Sequence, residues 1–205
     1  MNRKGIYRGG LFAALAAVAG VLLATQAGSQ NATAPAYDAN GNLLAPVGFE
    51  SWVFVGSNLA MEYHPDAAAM TPREASRADV SQFHNIYINP ETYAHFLATK
   101  EFPEPTILVM QKFLAADKEP QGILASGSFN GERSGVEVAV KNPARPDGST
   151  TPWAYYDMTD RTDPSKVAAS APAFPDAICE TCHRQHASND NVWVQFYPTL
   201  RDLTQ

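Results

Sequence analysis

Residues 106–114 read Thr-Ile-Leu-Val-Met-Gln-Lys-Phe-Leu, an apolar, β-branched run with the alternation of a β-strand. Two similar segments precede it and two follow it, at residues 52–56, 83–89, 135–141 and 153–158. A helix is predicted for Pro90–Thr99, because Pro90 and Glu91 suit a first turn. A second helix is predicted to begin near Pro175. The sequence therefore predicts an α+β fold, with one five-stranded, mostly antiparallel sheet and flanking helices on one side.

The composition bounds the class of protein. The chain has 205 residues, 45% apolar and 18% charged, which favours one folded domain and excludes wholesale disorder. Its formal charge of -6 argues against nucleic acid as a partner, because phosphate binding needs a basic surface. The chain has only 2 cysteines, which excludes a scaffold held by several disulfides.

The first residues resemble a targeting segment. Arg3, Lys4 and Arg8 precede an apolar run, Leu11–Ala24, and small residues follow it. This pattern predicts a secretory signal peptide over residues 1–27, a leader or tail over 28–45 and the folded domain over 46–205. The alternative, an uncleaved anchor, is disfavoured because a bilayer span needs about 20 apolar residues. We expect an exported, periplasmic protein with no membrane span once the signal is removed.

Both cysteines lie in one motif, Cys179-Glu-Thr-Cys182-His183, near the C-terminal end. In an exported protein this Cys-x-x-Cys-His pattern is the attachment signature of c-type haem. Thiols one helical turn apart can bond to both vinyl groups of a porphyrin, and the next residue can supply the proximal imidazole. A redox pair, a zinc site that includes His186 and chance are the alternatives. The motif predicts one haem c, bound covalently through Cys179 and Cys182, with His183 as the proximal iron ligand on a C-terminal helix.

The segment around this motif resembles the C-terminal segment of the cytochrome P-460 family. It runs from Cys179 to Arg201 and ends in Phe-Tyr-Pro-Thr-Leu-Arg. Residues 52–56 (Trp-Val-Phe-Val-Gly), 83–96 (Phe-His-Asn-Ile-Tyr-Ile-Asn-Pro-Glu-Thr-Tyr-Ala-His-Phe), 101–102 and the strand beginning at Thr106 also resemble family segments. The resemblance covers roughly residues 38–203. It implies a five-stranded antiparallel sheet, often in a homodimer, and a five-coordinate haem whose distal side is open.

Two activities are implied by the resemblance. Cytochromes P-460 oxidise hydroxylamine and carry a lysine cross-linked to the porphyrin, whereas the related cytochromes c′-beta lack the cross-link and bind nitric oxide or carbon monoxide. Here Met110 stands where the cross-linking lysine is expected. Lys112 is a possible substitute, although a solvated lysine at a strand end is the favoured interpretation. We expect Met110 to pack against the porphyrin, with a sixth-ligand role as the less favoured alternative.

His84 is the candidate for a distal group. It shares a strand face with Ile86 and Ile88, and could donate a hydrogen bond to a bound ligand or transfer protons. A core histidine bonded to the backbone is the alternative. Three functions follow as hypotheses: a haem oxidoreductase acting on hydroxylamine or nitric oxide with a soluble redox partner, a non-catalytic gas-binding cytochrome, and a simple electron carrier.

Overall fold

The computed structural model describes residues 34–61, 81–117, 123 and 126–201. The strands in these residues are Leu43–Leu44 (β1), Val53–Leu59 (β2), Gln82–Ile88 (β3), Thr106–Asp117 (β4), Ser128–Lys141 (β5), Trp153–Asp157 (β6) and Ser170–Ala171 (β7). Strands β2 to β6 form a five-stranded antiparallel sheet in the order β2-β3-β4-β5-β6, so each strand pairs with its neighbours along the chain. The predicted α+β fold and its sheet are confirmed.

The helices are Pro90–Thr99 (α1), Glu180–His186 (α2) and Pro198–Arg201 (α3), with 3-10 turns at Phe49–Ser51 and Val194–Phe196. The bounds predicted for α1 are confirmed, but the predicted start of the second helix near Pro175 is wrong. Asp176 does not cap a helix there, because its carboxylate binds Ser149 and Arg145 on the loop between β5 and β6. The helix therefore begins at Glu180, one residue after Cys179.

The sheet carries an apolar cluster on each face, as the alternation of its strands requires. One cluster contains Val109 and Val138, and the other contains Leu108 and Tyr155. Phe96 from α1 and Leu200 from α3 are fully buried on the Tyr155 face, whereas Phe49 of the first 3-10 turn belongs to the cluster on the opposite face. The predicted placement of the helices on one side of the sheet is therefore confirmed for α1 and α3, and the 3-10 turn Phe49–Ser51 departs from it.

A close approach brings the C-terminal segment against β2. A Cβ atom at Gly56 would lie 3.2 Å from the Cα of Tyr197 and 3.3 Å from the ring of Pro198. Only glycine leaves this space open, so Gly56 lets residues 194–201 close over the Tyr155 face. The same segment follows α2, and its position therefore determines what surrounds His183.

The structure describes only part of the N-terminal region for which the sequence makes predictions. Leu43 in the predicted leader is fully buried and pairs with Ala171. The predicted signal peptide, residues 1–27, lies outside the described residues, and the three-part division of the chain stays a prediction. In the part of the chain that the structure describes, no helix is long and apolar enough to cross a membrane.

Candidate functional site

The cysteine motif lies at the start of α2. Cys179 occupies the N-cap position and Cys182 lies in the first turn of the helix, so the two part-buried side chains are one helical turn apart. Cys179 also packs against the apolar cluster of the Tyr155 face. The motif therefore presents its side chains at the surface of this cluster.

Two hydrogen bonds define the tautomer of His183. Its Nδ1 lies 2.8 Å from the backbone oxygen of Asn191, which can only accept, so Nδ1 carries the proton. The indole Nε1 of Trp193 donates to His183 Nε2 at 3.2 Å, so Nε2 presents a lone pair. Burial lowers the pKa of His183, and this effect outweighs the hydrogen bond to Asn191 and the charges of Glu137 and Glu180. His183 is thus a neutral imidazole with its Nε2 lone pair ready for a ligand bond.

Aromatic rings surround this imidazole. The rings of Tyr155 and His183 have centroids 4.3 Å apart, and those of His183 and Trp193 are 5.3 Å apart with an interplanar angle of 72°. Trp193 in turn stacks on Phe196. Tyr155 is 8% exposed, and burial raises the pKa of its phenol, so it is neutral at physiological pH. These contacts restrict the orientation of the ring.

Met110, Lys112 and His84 occupy neighbouring positions on the Tyr155 face of the sheet. Met110 pairs with Ile86 and packs against the same cluster as Cys179 and Trp193. Lys112 pairs with His84 on β3 and with Gly135 on β5. The strand register therefore brings together the three residues that the sequence singled out on β3 and β4.

The interpretation of Lys112 as a solvated lysine at a strand end is wrong. Lys112 lies inside β4, is 7% exposed and forms an ion pair with Glu137 on β5. A Cβ atom at Gly135 would lie 2.9 Å from Lys112 Cε, so glycine at this position makes room for the lysine side chain. The sequence pattern did not indicate this environment. It predicted a strand that ends at residue 114, whereas β4 continues three residues further, so Lys112 does not lie at a strand end.

The polar groups of this face influence each other. Burial and the positive charge of Lys112 lower the pKa of His84, and the negative charge of Glu137 offsets part of this shift. The same carboxylate acts on the pKa of His183. His84 is therefore neutral near pH 7, and Glu137 lies within electrostatic range of both histidines.

Sequence reasoning missed Glu137, Asp190, Asn191 and Trp193. Glu137 carries a detectable signal, because it interrupts an apolar strand between Val136 and Val138, on the face opposite to theirs. The other three carry none, since their roles depend on the conformation of the turn after α2. Of the aromatic residues, Tyr155 and Trp193 make ring contacts with His183. Within the described ranges, no group of three or more His, Cys, Asp or Glu side chains could hold a metal ion.

The chain matches a known protein family. The sequence profile of the family described as Cytochrome P460 matches residues 46–194, which is more than half of the chain. No curated protein matches the chain.

Proposed function

Because the chain belongs to the cytochrome P460 family and is therefore a haem c cytochrome, we propose that it is an exported, mono-haem enzyme that oxidises hydroxylamine or nitric oxide. The observation that carries this proposal is the state of His183, a neutral imidazole that keeps a lone pair on Nε2 and follows two cysteines one helical turn apart. Export into an oxidising compartment, a soluble electron acceptor and a homodimer are parts of the same proposal.

The residues around α2 fit a covalently bound haem. Cys179 and Cys182 would form the thioether bonds, and His183 would be the proximal ligand through Nε2. Trp193 donates a hydrogen bond to that nitrogen, so its indole must move aside when His183 binds iron. When bound, the haem iron supplies a coordination site for a small nitrogen compound and accepts its electrons.

Two polar side chains, those of Glu137 and His84, support oxidation as the reaction. Oxidation of hydroxylamine releases protons as well as electrons, so the site needs groups that accept them. Glu137 supplies a carboxylate, held by Lys112, and His84 supplies a neutral imidazole. Both lie on the Tyr155 face of the sheet. We infer that these two residues receive the protons.

Lys112 is the residue that distinguishes the two activities of the family. Its buried position on the same face as Met110 supports a cross-link to the porphyrin, which would accompany hydroxylamine oxidation. Gas binding without turnover is the second candidate. It is favoured by the apolar surroundings of Met110, which packs with the cluster that includes Ile86, Leu108 and Tyr155.

The test uses the purified, haem-loaded protein. Optical spectra are recorded for the ferric, ferrous and carbon-monoxide forms, haem-bearing peptides are mapped by mass spectrometry, and hydroxylamine oxidation is measured with an artificial electron acceptor. Lys112→Met is compared with Lys166→Met, because Lys166 is an exposed lysine that pairs with a surface carboxylate, Asp163. Glu137→Gln tests the proton acceptor.

The proposal expects turnover in the native protein, a strong loss in Glu137→Gln and no change in Lys166→Met. A peptide that links Lys112 to haem would assign the cross-link. An open haem that binds carbon monoxide without turnover would support the gas-binding candidate instead. A low-spin spectrum that carbon monoxide does not change would refute both and leave electron transfer.

A further inference from the structure

The turn that follows α2 has an unusual backbone. Asp190 and Asn191 have φ values of 42° and 62°, the left-handed region that residues other than glycine rarely adopt. Asn189 and Val192 pair across this turn, with Val192 N donating to Asn189 O at 2.7 Å. Asp and Asn tolerate this region better than other residues except glycine, but two in succession still cost free energy, which contacts with the rest of the fold can offset.

The side chain of Asp190 supplies those contacts. Its Oδ2 lies 2.9 Å from Lys141 Nζ, and its Oδ1 accepts a hydrogen bond of 3.1 Å from the indole Nε1 of Trp153. The Lys141 side chain is only 15% exposed, and its Nζ also donates to the backbone oxygen of Phe102 at 2.8 Å. Glu104 Oε1 lies 3.8 Å from the same nitrogen, so the ammonium group has two contacts besides the Asp190 carboxylate, which is the nearer of its two acidic partners.

The two donors belong to a rigid part of the fold. Lys141 ends β5, Trp153 begins β6, and the two residues are direct partners in the sheet. Trp153 is 1% exposed. Asp190 is thus held by adjacent positions on neighbouring strands, so the turn is anchored to the sheet and does not depend on α2 alone.

The anchored turn directs one backbone oxygen at His183. Asn191 O lies 2.8 Å from His183 Nδ1 and 3.5 Å from the hydroxyl of Tyr155. The Asn191 side chain also donates to the buried carboxylate of Glu180 at 3.4 Å, which ties the turn to α2. A different backbone conformation at Asp190 and Asn191 would turn this oxygen away from the imidazole.

We propose that Lys141 and Asp190 are positioning residues for the proximal ligand: their ion pair holds the turn that aims the Asn191 carbonyl at His183 Nδ1. The proposal rests on the proposed role of His183 as the iron ligand. A hydrogen bond from Nδ1 fixes the ring orientation and makes the imidazole more basic toward a metal at Nε2. The ion pair would therefore tune the strength of the iron–histidine bond and the reduction potential through the Asn191 carbonyl.

The test measures the iron–histidine stretching frequency of the ferrous haem protein by resonance Raman spectroscopy, together with its reduction potential. Lys141→Met removes the ion pair, whereas Lys141→Arg keeps the charge. Asp190→Gly removes the carboxylate but accommodates a positive φ without strain. Asp190→Asn also tolerates this backbone and keeps an acceptor for Trp153 while it loses the charge. Asp163→Asn removes a carboxylate from a matched surface ion pair with Lys166.

We expect Lys141→Met and Asp190→Gly to lower the stretching frequency and raise the potential, because a less basic imidazole favours ferric iron less. Lys141→Arg should keep both values close to those of the native protein, and Asp163→Asn should leave them unchanged. If Lys141→Met and Asp190→Gly do not fold, Asp190→Asn must still shift the stretching frequency and the potential in the same directions, by a smaller amount. Native values in every folded, haem-loaded variant would overturn this inference and leave the proposed function intact. A native protein with no haem, or with haem not ligated by His183, would overturn the proposed function itself.

Discussion

Replacing Arg145 with methionine tests how the loop between β5 and β6 holds the segment that leads into α2. The Arg145 side chain is 2% exposed and forms ion pairs with Asp147 and with Asp176, whose Oδ1 lies 3.0 Å from Nη1. The same Nη1 donates to the buried backbone oxygen of Trp153 at 2.7 Å. Asp176 lies three residues before Cys179, so Arg145 joins the sheet to the segment that leads into α2.

The expected cost follows from what each partner loses. The Trp153 oxygen loses a buried bond from a charged donor, which costs about 1.5–3 kcal/mol. The two carboxylates are 36% and 34% exposed and can bind water again, so each ion pair adds no more than about 1 kcal/mol. Methionine fills the volume of the arginine stem. Arg145→Met should therefore lower the free energy of unfolding by about 3 kcal/mol, and Asp147→Asn by about 1 kcal/mol.

The pH dependence provides a second measurement. Burial alone would raise the pKa of Asp147 and Asp176, but hydrogen bonds from Arg145 and from Ser149, together with the arginine charge, outweigh it and lower both values below 3.8. Carboxyls with a lowered folded pKa stabilise the protein fully above their unfolded pKa, and this contribution is lost as the pH falls through the folded values. Arg145→Met should reduce the loss of stability in this acid range.

The assay is urea unfolding of the haem protein, followed by far-ultraviolet circular dichroism at neutral pH and at about pH 3. Asp163→Asn serves as the control for the measurement at neutral pH, because Asp163 lies in a surface ion pair with Lys166. A loss below about 1 kcal/mol for Arg145→Met at neutral pH, or an acid dependence equal to that of the native protein, would refute this reasoning.

Three further variants test other parts of the site. Gly135→Ala would place a Cβ 2.9 Å from both Lys112 Cε and Thr159 Oγ1, so we expect a loss of about 1–3 kcal/mol in urea unfolding; an unchanged midpoint would contradict the close packing. Because the pKa of His84 is lowered from 6.5, the unfolded state takes up a proton first as the pH falls, and stability should decrease below about pH 6.5. His84→Gln should reduce this decrease, to which His183 also contributes because burial lowers its pKa as well, and an identical pH profile would exclude His84 as a source. Replacing Cys179 and Cys182 with alanine should make the haem extractable by acidic acetone, and haem that stays bound would contradict thioether attachment.

The local pattern predicted much of the fold because its signals lie in short segments. Alternation identified all five strands of the main sheet, and Pro90 with Glu91 marked the start of α1. The start of α2 was missed, because Asp176 binds Arg145, which is 31 residues away, and does not cap a helix. A cap is a local feature only when no distant partner competes for the side chain.

The sequence by itself determined the Cys-x-x-Cys-His motif, since the spacing of Cys179, Cys182 and His183 is a property of one helical turn. Only the tertiary structure decided the environment of that motif. Lys112 meets Glu137, 25 residues later, because the register of β4 and β5 aligns them across the space left by Gly135. His183 keeps its lone pair on Nε2 because a left-handed turn, held by Lys141, points a backbone oxygen at its other nitrogen. Strand register and turn conformation are set by the packing of the whole domain, and no local pattern contains them.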